Sequence, residues 1–221
     1  MAGGQERISE GLIFRTWPRF SGTFRQGSSP IVDAIILHQQ KPQSVKSIPR
    51  DPVWCAAPVA AGALRRWLTD RGSLTARLER HAGPVRVKVL FQGLRRANRD
   101  EAFLFAAPDT RVLVREVLLL RGATPLVFAH TVLARDALRG TWRSIAGLGT
   151  RPLGAALFAD PRVARFPLRQ RKLSRAHPLY RRAAAQLKRP PPPLWARRSI
   201  FAAGKSPILV SEVFLPAIHD L

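Results

Sequence analysis

The run Pro207-Ile-Leu-Val-Ser-Glu-Val-Phe-Leu-Pro216 constrains this chain more than any other stretch. Side chains of an extended strand alternate between faces. Ile208, Val210, Glu212 and Phe214 therefore share one face, and Leu209, Ser211, Val213 and Leu215 share the other. Glu212 is the anomaly: an ionised carboxylate among aliphatics and a phenyl ring costs on the order of several kcal/mol unless it is paired, hydrogen-bonded or protonated. A second strand, Arg111-Val-Leu-Val-Arg-Glu-Val-Leu-Leu-Leu120, sets Arg115 on one face with Leu113, Val117 and Leu119. An inward acid on one apolar strand and an inward arginine on another predict a shared cavity. The alternatives are a buried structural ion pair, or two residues turned outward at sheet edges.

Composition narrows what such a cavity can belong to. The 221 residues suffice for one sizeable domain, or one domain with appendages. No apolar run approaches the ~20 residues that span a bilayer, and the first residues do not read as a secretory signal. With the single Cys55, neither a disulfide framework nor a cysteine zinc site is expected. These features predict a cytoplasmic protein. The net charge of +23 draws polyanions to surfaces and small anions into clefts. It is uneven: Pro161–Ser199 holds twelve Lys or Arg and no Asp or Glu. That stripe reads first as a solvated face; contact with anionic membrane is the further expectation. A nucleic-acid role ranks low, because the strands carry no interleaved exposed aromatics.

Residues 1–50 read as a loosely ordered extension, with one short element in Ile31–Leu37. The domain spans 51–221. From Pro58 to His81 two helices are expected, the second capped by Asp70 or Ser73. Val85–Gln92 alternates as a half-buried strand, with Val85, Val87, Val89 and Phe91 inward. A polar crossover, Leu94–Asp109, leads to the arginine strand, and Arg121–Thr124 then forms a hairpin loop into Pro125–Leu133. Ala137–Gly149 contains a short helix, and Pro152 opens another, Leu153–Phe158, at its first turn. A weak strand in Arg162–Arg175, a surface helix in Pro178–Lys188 and a stiff Pro190–Pro193 spacer precede the last two strands, joined around Gly204. Hairpin connections without regular βαβ alternation give an α+β fold on an antiparallel sheet.

Other motifs carry little chemistry. Gly147-Leu-Gly149 with Gly154 matches neither phosphate-binding fingerprint, although the helix start at Pro152-Leu153-Gly154 presents backbone N–H groups suited to a carboxylate. The five histidines have no metal-ligand spacing, and His130 is expected to pack or hydrogen-bond within its strand. Nothing resembles a nucleophile elbow.

The block Leu194-Trp-Ala-Arg-Arg-Ser199, Ala203-Gly-Lys205 and Pro207–Pro216 resembles the signature of the chorismate pyruvate-lyase family. Upstream matches follow in order. Ser73-Leu-Thr75 resembles the first flap, Val114–Leu118 the arginine strand, and Ala129-His-Thr-Val132 the strand after it. Thr150-Arg-Pro-Leu-Gly154 with Leu157-Phe158 resembles the second flap. The similarity spans roughly Pro58 to Pro216. It departs from the family pattern in the extension 1–50, in a basic, Pro-rich insertion at 176–193 that looks peripheral, and in Ser206.

The resemblance implies a single domain: a six-stranded antiparallel sheet whose enclosed ligand pocket lies under helical flaps. It implies elimination of pyruvate from chorismate to give 4-hydroxybenzoate, the entry to ubiquinone biosynthesis, with no metal and no organic cofactor; a monomer is the separate expectation. By position, Arg115 and the Leu153 backbone would hold the ring carboxylate, Glu212 would face the hydroxyl and reacting carbons, and Leu74 would help close the lid. Arg197 or Arg198 would assist with the enolpyruvyl carboxylate, parity allowing only one of them inward. The alternative function is a non-catalytic sensor of aromatic carboxylates on the same scaffold.

Overall fold

A computed structural model describes residues 54–56, 62–105 and 111–221. The extension 1–50, with its Ile31–Leu37 element, and the start of the helical pair at Pro58 lie outside the described residues. Seven strands form one sheet in which every pairing is antiparallel: β1 (Val85–Arg96), β2 (Arg111–Arg121), β3 (Thr124–Ala134), β4 (Ala164–Arg165), β5 (Arg169–Leu173), β6 (Leu194–Ala203) and β7 (Ser206–Phe214). The order is β1-β2-β3-β7-β6, and β4 and β5 follow one another along the outer edge of β6. The sheet is therefore six ranks wide, as the family resemblance implies, with its last rank broken in two.

Two tight turns fix the register around the centre. Gly122 and Ala123 join β2 to β3, and Gly204 and Lys205 join β6 to β7. Gly122 at φ +57° and Gly204 at φ +58° occupy the left-handed region that these hairpin turns require and that other residues resist.

Strand β1 departs from simple alternation. Val89 faces Val117 but Phe91 faces Glu116, so Leu90 is a bulge. The extra residue reverses parity. Val85, Val87 and Val89 pack on the front of the sheet with Val117 and Leu119, as expected, while Phe91 turns to the back against Val112, Val114 and Val132. Strand β1 also runs on to Arg96, into the stretch expected to be irregular.

Helices cover both faces. On the front, α1 (Arg65–Thr69) and α2 (Leu74–Ala82) form one flap; the Ser73 hydroxyl caps α2 by accepting from the Ala76 N–H. Trp67, Leu68, Leu74 and Leu78 bury this flap against β1, β2 and β3. Helices α3 (Arg143–Ala146) and α4 (Leu153–Ala159) form the second flap, packed through Ile145, Leu148, Leu153 and Leu157 on Leu113, Leu133, Phe201 and Ile208. Pro152 sits at the N-cap position, one residue before α4, rather than in its first turn.

On the back, α5 (Pro178–Ala184) is more than a surface helix. Leu179, Tyr180 and Ala183 are buried with Trp54, Leu118, Phe128 and Val213, and the Tyr180 hydroxyl donates to the Pro191 carbonyl. The stretch 176–193, read from sequence as peripheral, is a wall of the core. The Arg and Lys residues had masked its apolar stripe.

Candidate active site

Between the flaps, the front of the sheet is not filled by packing. A partly open cavity of about 60 Å³ lies there, several times the ~10–15 Å³ that one water occupies. Its floor is two transverse rows set by the strand register. One row runs Arg115 (β2), Thr131 (β3), Val210 (β7), Ser199 (β6); the next runs Val117, Ala129, Glu212, Arg197. All eight line the cavity. Arg115 and Glu212 share a face as the alternation predicts, although β3 separates their strands. From strand spacing and rise, their Cα atoms are roughly 12 Å apart, leaving room for a ring between the side chains.

The roof comes from the flaps. Ser73, Leu74 and Thr75 of the first and Pro152, Leu153, Gly154, Leu157 and Phe158 of the second line the chamber. The flaps touch where Gly154 passes Ser73: a Cβ added at Gly154 would lie 3.2 Å from the Ser73 hydroxyl oxygen, so a bare backbone suits the approach. Glu212, Arg115, Leu153 and Leu74, to which the resemblance assigns the site roles, thus all line one chamber.

The ion pair at Glu212 forms within the last hairpin. Glu212 is answered not by Arg115 but by Arg197, directly across on β6, whose Nε donates to Glu212 Oε2 at 2.6 Å. Register decides this, because Arg197 and Glu212 are opposed residues of one hairpin. Arg197 Nη1 also donates to the Trp67 and Asp70 carbonyls, both at 2.7 Å, and so holds the first flap to the floor. Of the two candidate arginines, Arg197 is the inward one. Arg198 lies on the back, 3.0 Å from Asp100 Oδ2 and over the Trp54 ring.

Arg115, 2% exposed, donates through Nη2 to the Gly149 carbonyl at 3.0 Å and the Arg151 carbonyl at 3.3 Å, which anchors the loop before α4. Its Nε is buried with no hydrogen-bond partner, and burial depresses the guanidinium pKa. A cation so placed, without a facing carboxylate, suits an anionic ligand.

Sequence reasoning missed Arg165. Strand β4 is only two residues long, too short for any period to show. Its pairing with Phe201 turns Arg165 into the cavity. With Arg115, Arg165 and Arg197 against Glu212, the charged side chains of the lining sum to +2.

The basic stripe is correspondingly not one surface. Arg165 and Arg197 enter the cavity. Arg182 reaches Glu116 Oε1 at 3.1 Å and Arg198 reaches Asp100, both on the back. Arg162, Lys172, Arg175, Arg181, Lys188 and Arg189 remain exposed.

The back of the floor holds the largest surprise among the histidines. His130, expected to find partners within its own strand, bridges two others: Nδ1 lies 3.0 Å from Glu116 Oε1 on β2, and Nε2 lies 3.1 Å from Glu101 Oε1 in the β1–β2 crossover. Burial pushes its pKa down, but the two carboxylates outweigh burial and hold it above the ordinary value. Among the described residues no three His, Cys, Asp or Glu side chains are grouped as a metal site needs.

Known proteins resemble this chain over most of its length. The family described as Chorismate lyase matches residues 53–221. A relative from Nitrosospira multiformis, named "Probable chorismate pyruvate-lyase", is 48% identical over 171 residues, which is 76% of this chain and 95% of that one. A relative of the same name from Thiobacillus denitrificans is 49% identical over 160 residues, 72% of this chain and 86% of its own. Among solved structures, PhnF from Mycobacterium smegmatis superposes with a TM-score of 0.47 at 16% identity, covering 66% of this chain and 65% of that one; so loose a likeness bears no weight here. The match over 53–221 and the identities near one half are decisive: the chain belongs to the chorismate lyase family.

Proposed function

We propose that this protein eliminates pyruvate from chorismate to give 4-hydroxybenzoate, the aromatic precursor of ubiquinone. The observation that carries the reading is the placement of Arg115 and Glu212 on one face of the sheet, both lining the cavity between the flaps. Chorismate is a dianion, and the +2 sum of the charged lining side chains complements it. Arg115, with a buried and unpartnered Nε, and the Leu153 N–H hold the ring carboxylate. Leu74 closes the lid above the ring.

Glu212 supplies the base. Arg197 occupies Oε2, leaving Oε1 with no donor among the described residues. Oε1 takes the proton from C4, the C4–H electron pair becomes a ring double bond, and the C3–O bond breaks with its electrons on the leaving enolpyruvate. That anion takes up a proton and ketonises to pyruvate, while the ring becomes aromatic. Because aromatisation drives the step, the protein mainly orients the substrate, excludes water and stabilises charge on the leaving group.

The same reading places the protein in the cytoplasm as a monomer; no described helix is long and apolar enough to cross a membrane. Its exposed cations, Lys172, Arg175, Arg181, Lys188 and Arg189, would then meet anionic membrane peripherally, which sedimentation with acidic and with neutral vesicles tests. For the reaction itself, the purified chain is incubated with chorismate, and 4-hydroxybenzoate and pyruvate are measured. Equal amounts of both support the reading. Binding of 4-hydroxybenzoate without turnover would replace it with a sensor of aromatic carboxylates.

A further inference from the structure

Chorismate lyase chemistry, if it is the reaction here, leaves one acidic group of the substrate without a receptor. Arg115 and the Leu153 N–H account for the ring carboxylate, which the product keeps. The enolpyruvyl carboxylate departs with pyruvate and needs a cation of its own. Arg197 is engaged by Glu212 and two flap carbonyls, and Arg198 lies behind the sheet. Arg165 remains. It approaches from the opposite edge of the sheet to Arg115, on β4 beyond β6, about four strand spacings or roughly 19 Å away between Cα atoms.

Its fixings are unusual for a surface arginine. Nε donates to Ser199 Oγ at 3.2 Å, and Nη1 donates to the Gly72 carbonyl at 3.3 Å and to the Arg71 carbonyl. Nη2 makes no hydrogen bond with the described residues. The guanidinium stacks 5.1 Å from the Phe201 ring centre and 5.6 Å from that of Phe158 on α4. One side chain thus touches the floor, the first flap and the second flap. Among the described residues it has no carboxylate partner within hydrogen-bond distance. Burial, reinforced by repulsion from Arg197, lowers its pKa to about 10 against the opposing pull of Glu212 and Asp70.

We propose that Arg165 binds the enolpyruvyl carboxylate of the substrate through Nη2, and that this contact selects the dianion over the monoanionic product. The inference rests on the proposed reaction. It also gives the chamber a direction. While the second carboxylate is present, it adds a ligand to the one side chain that ties both flaps to the sheet. Once pyruvate has formed, 4-hydroxybenzoate holds only Arg115, Leu153 and Glu212, and Arg165 makes no direct contact with it.

The test is a split between substrate and product. Arg165→Gln is expected to raise KM for chorismate by about tenfold to a hundredfold, the loss for one hydrogen-bonded charge, while the Kd for 4-hydroxybenzoate stays within about threefold of wild type. Arg165→Lys restores part of the KM. Arg115→Gln, by contrast, weakens substrate and product together. If Arg165 only braces the flaps, product affinity falls in parallel with substrate affinity and the proposal is overturned. An unchanged KM overturns it equally. Wild-type protein inert toward chorismate would dismiss the proposed reaction itself, whereas active wild type with an indifferent Arg165→Gln variant dismisses this inference alone.

Discussion

Replacing Arg197 by Met separates what holds the site together from what performs its chemistry. Arg197 is 1% exposed and donates at 2.6 Å to Glu212 Oε2 and at 2.7 Å to the Trp67 and Asp70 carbonyls. Methionine fills much of the same volume but leaves three acceptors without a donor. A buried acceptor stripped of its partner costs about 1–3 kcal/mol, and removing one side of a buried ion pair costs about 3–5 kcal/mol. These ranges overlap rather than add. The Glu212 side chain keeps 17% exposure beside a cavity that admits water, which reduces its share. A loss of about 4 kcal/mol is therefore expected, or about 8–16 °C in Tm for a chain of this size. Glu212→Gln is the control: an amide oxygen still accepts from Arg197, the flap carbonyls keep their donor, and about 1–2 kcal/mol is lost. Its turnover nevertheless falls at least ~100-fold, the lower bound for a positioned base. Urea unfolding followed by tryptophan fluorescence gives the stabilities, and product absorbance gives the rates. A loss under about 1 kcal/mol for Arg197→Met would remove Arg197 as the brace of the site, and a Glu212→Gln variant turning over near the wild-type rate would remove Glu212 as the base.

The back of the sheet gives a pH prediction. His130 faces Glu116 and Glu101, with Asn98, Arg95 and Arg182 completing the cluster. Its folded pKa lies above the unfolded value of about 6.5. Its contribution is therefore complete below pH ~6.5 and is lost as pH rises through the folded pKa. Glu101 and Glu116 have folded pKa values below their ordinary one, because the bonds to His130 outweigh burial, so they stabilise above pH ~4.5 and fail as pH falls through the folded values. Thermal unfolding across this range should show a maximum between the two limbs, and His130→Gln should flatten the alkaline limb; an unchanged alkaline slope would contradict the assignment. At the back wall, Leu179→Ala should cost about 2–5 kcal/mol in stability while leaving 4-hydroxybenzoate affinity unaltered, and a loss near zero would return α5 to the periphery.

Alternation made the site half legible in the sequence. Parity within β2 and β7 placed Arg115 and Glu212 on their apolar faces, because period two is a local property of extended chain and the strands are long. Which cation meets Glu212 was not local: it depends on the register of the β6–β7 hairpin, which puts Arg197 opposite Glu212 and leaves Arg115 two strands away. Parity between Arg197 and Arg198 did narrow the choice to one inward arginine. Arg165 left no trace, since a two-residue strand has no period and its charge merged with the stripe around it. The bulge at Leu90 was hidden for a related reason: Val85-Arg-Val-Lys-Val alternates cleanly, and the extra residue falls just after it. The apolar spacing of Leu179, Tyr180 and Ala183 is present in the sequence, but Arg181 and Arg182 beside it give the segment the composition of a solvated helix.

A crystal structure of the protein with 4-hydroxybenzoate bound tests the central claim most directly. The account predicts the ring inside the chamber between the flaps, its carboxylate within hydrogen-bond distance of Arg115 and the Leu153 N–H, and its hydroxyl toward Glu212 Oε1. A product molecule found only outside the chamber, or inside it with the carboxylate turned to Glu212 and away from Arg115, would contradict the account.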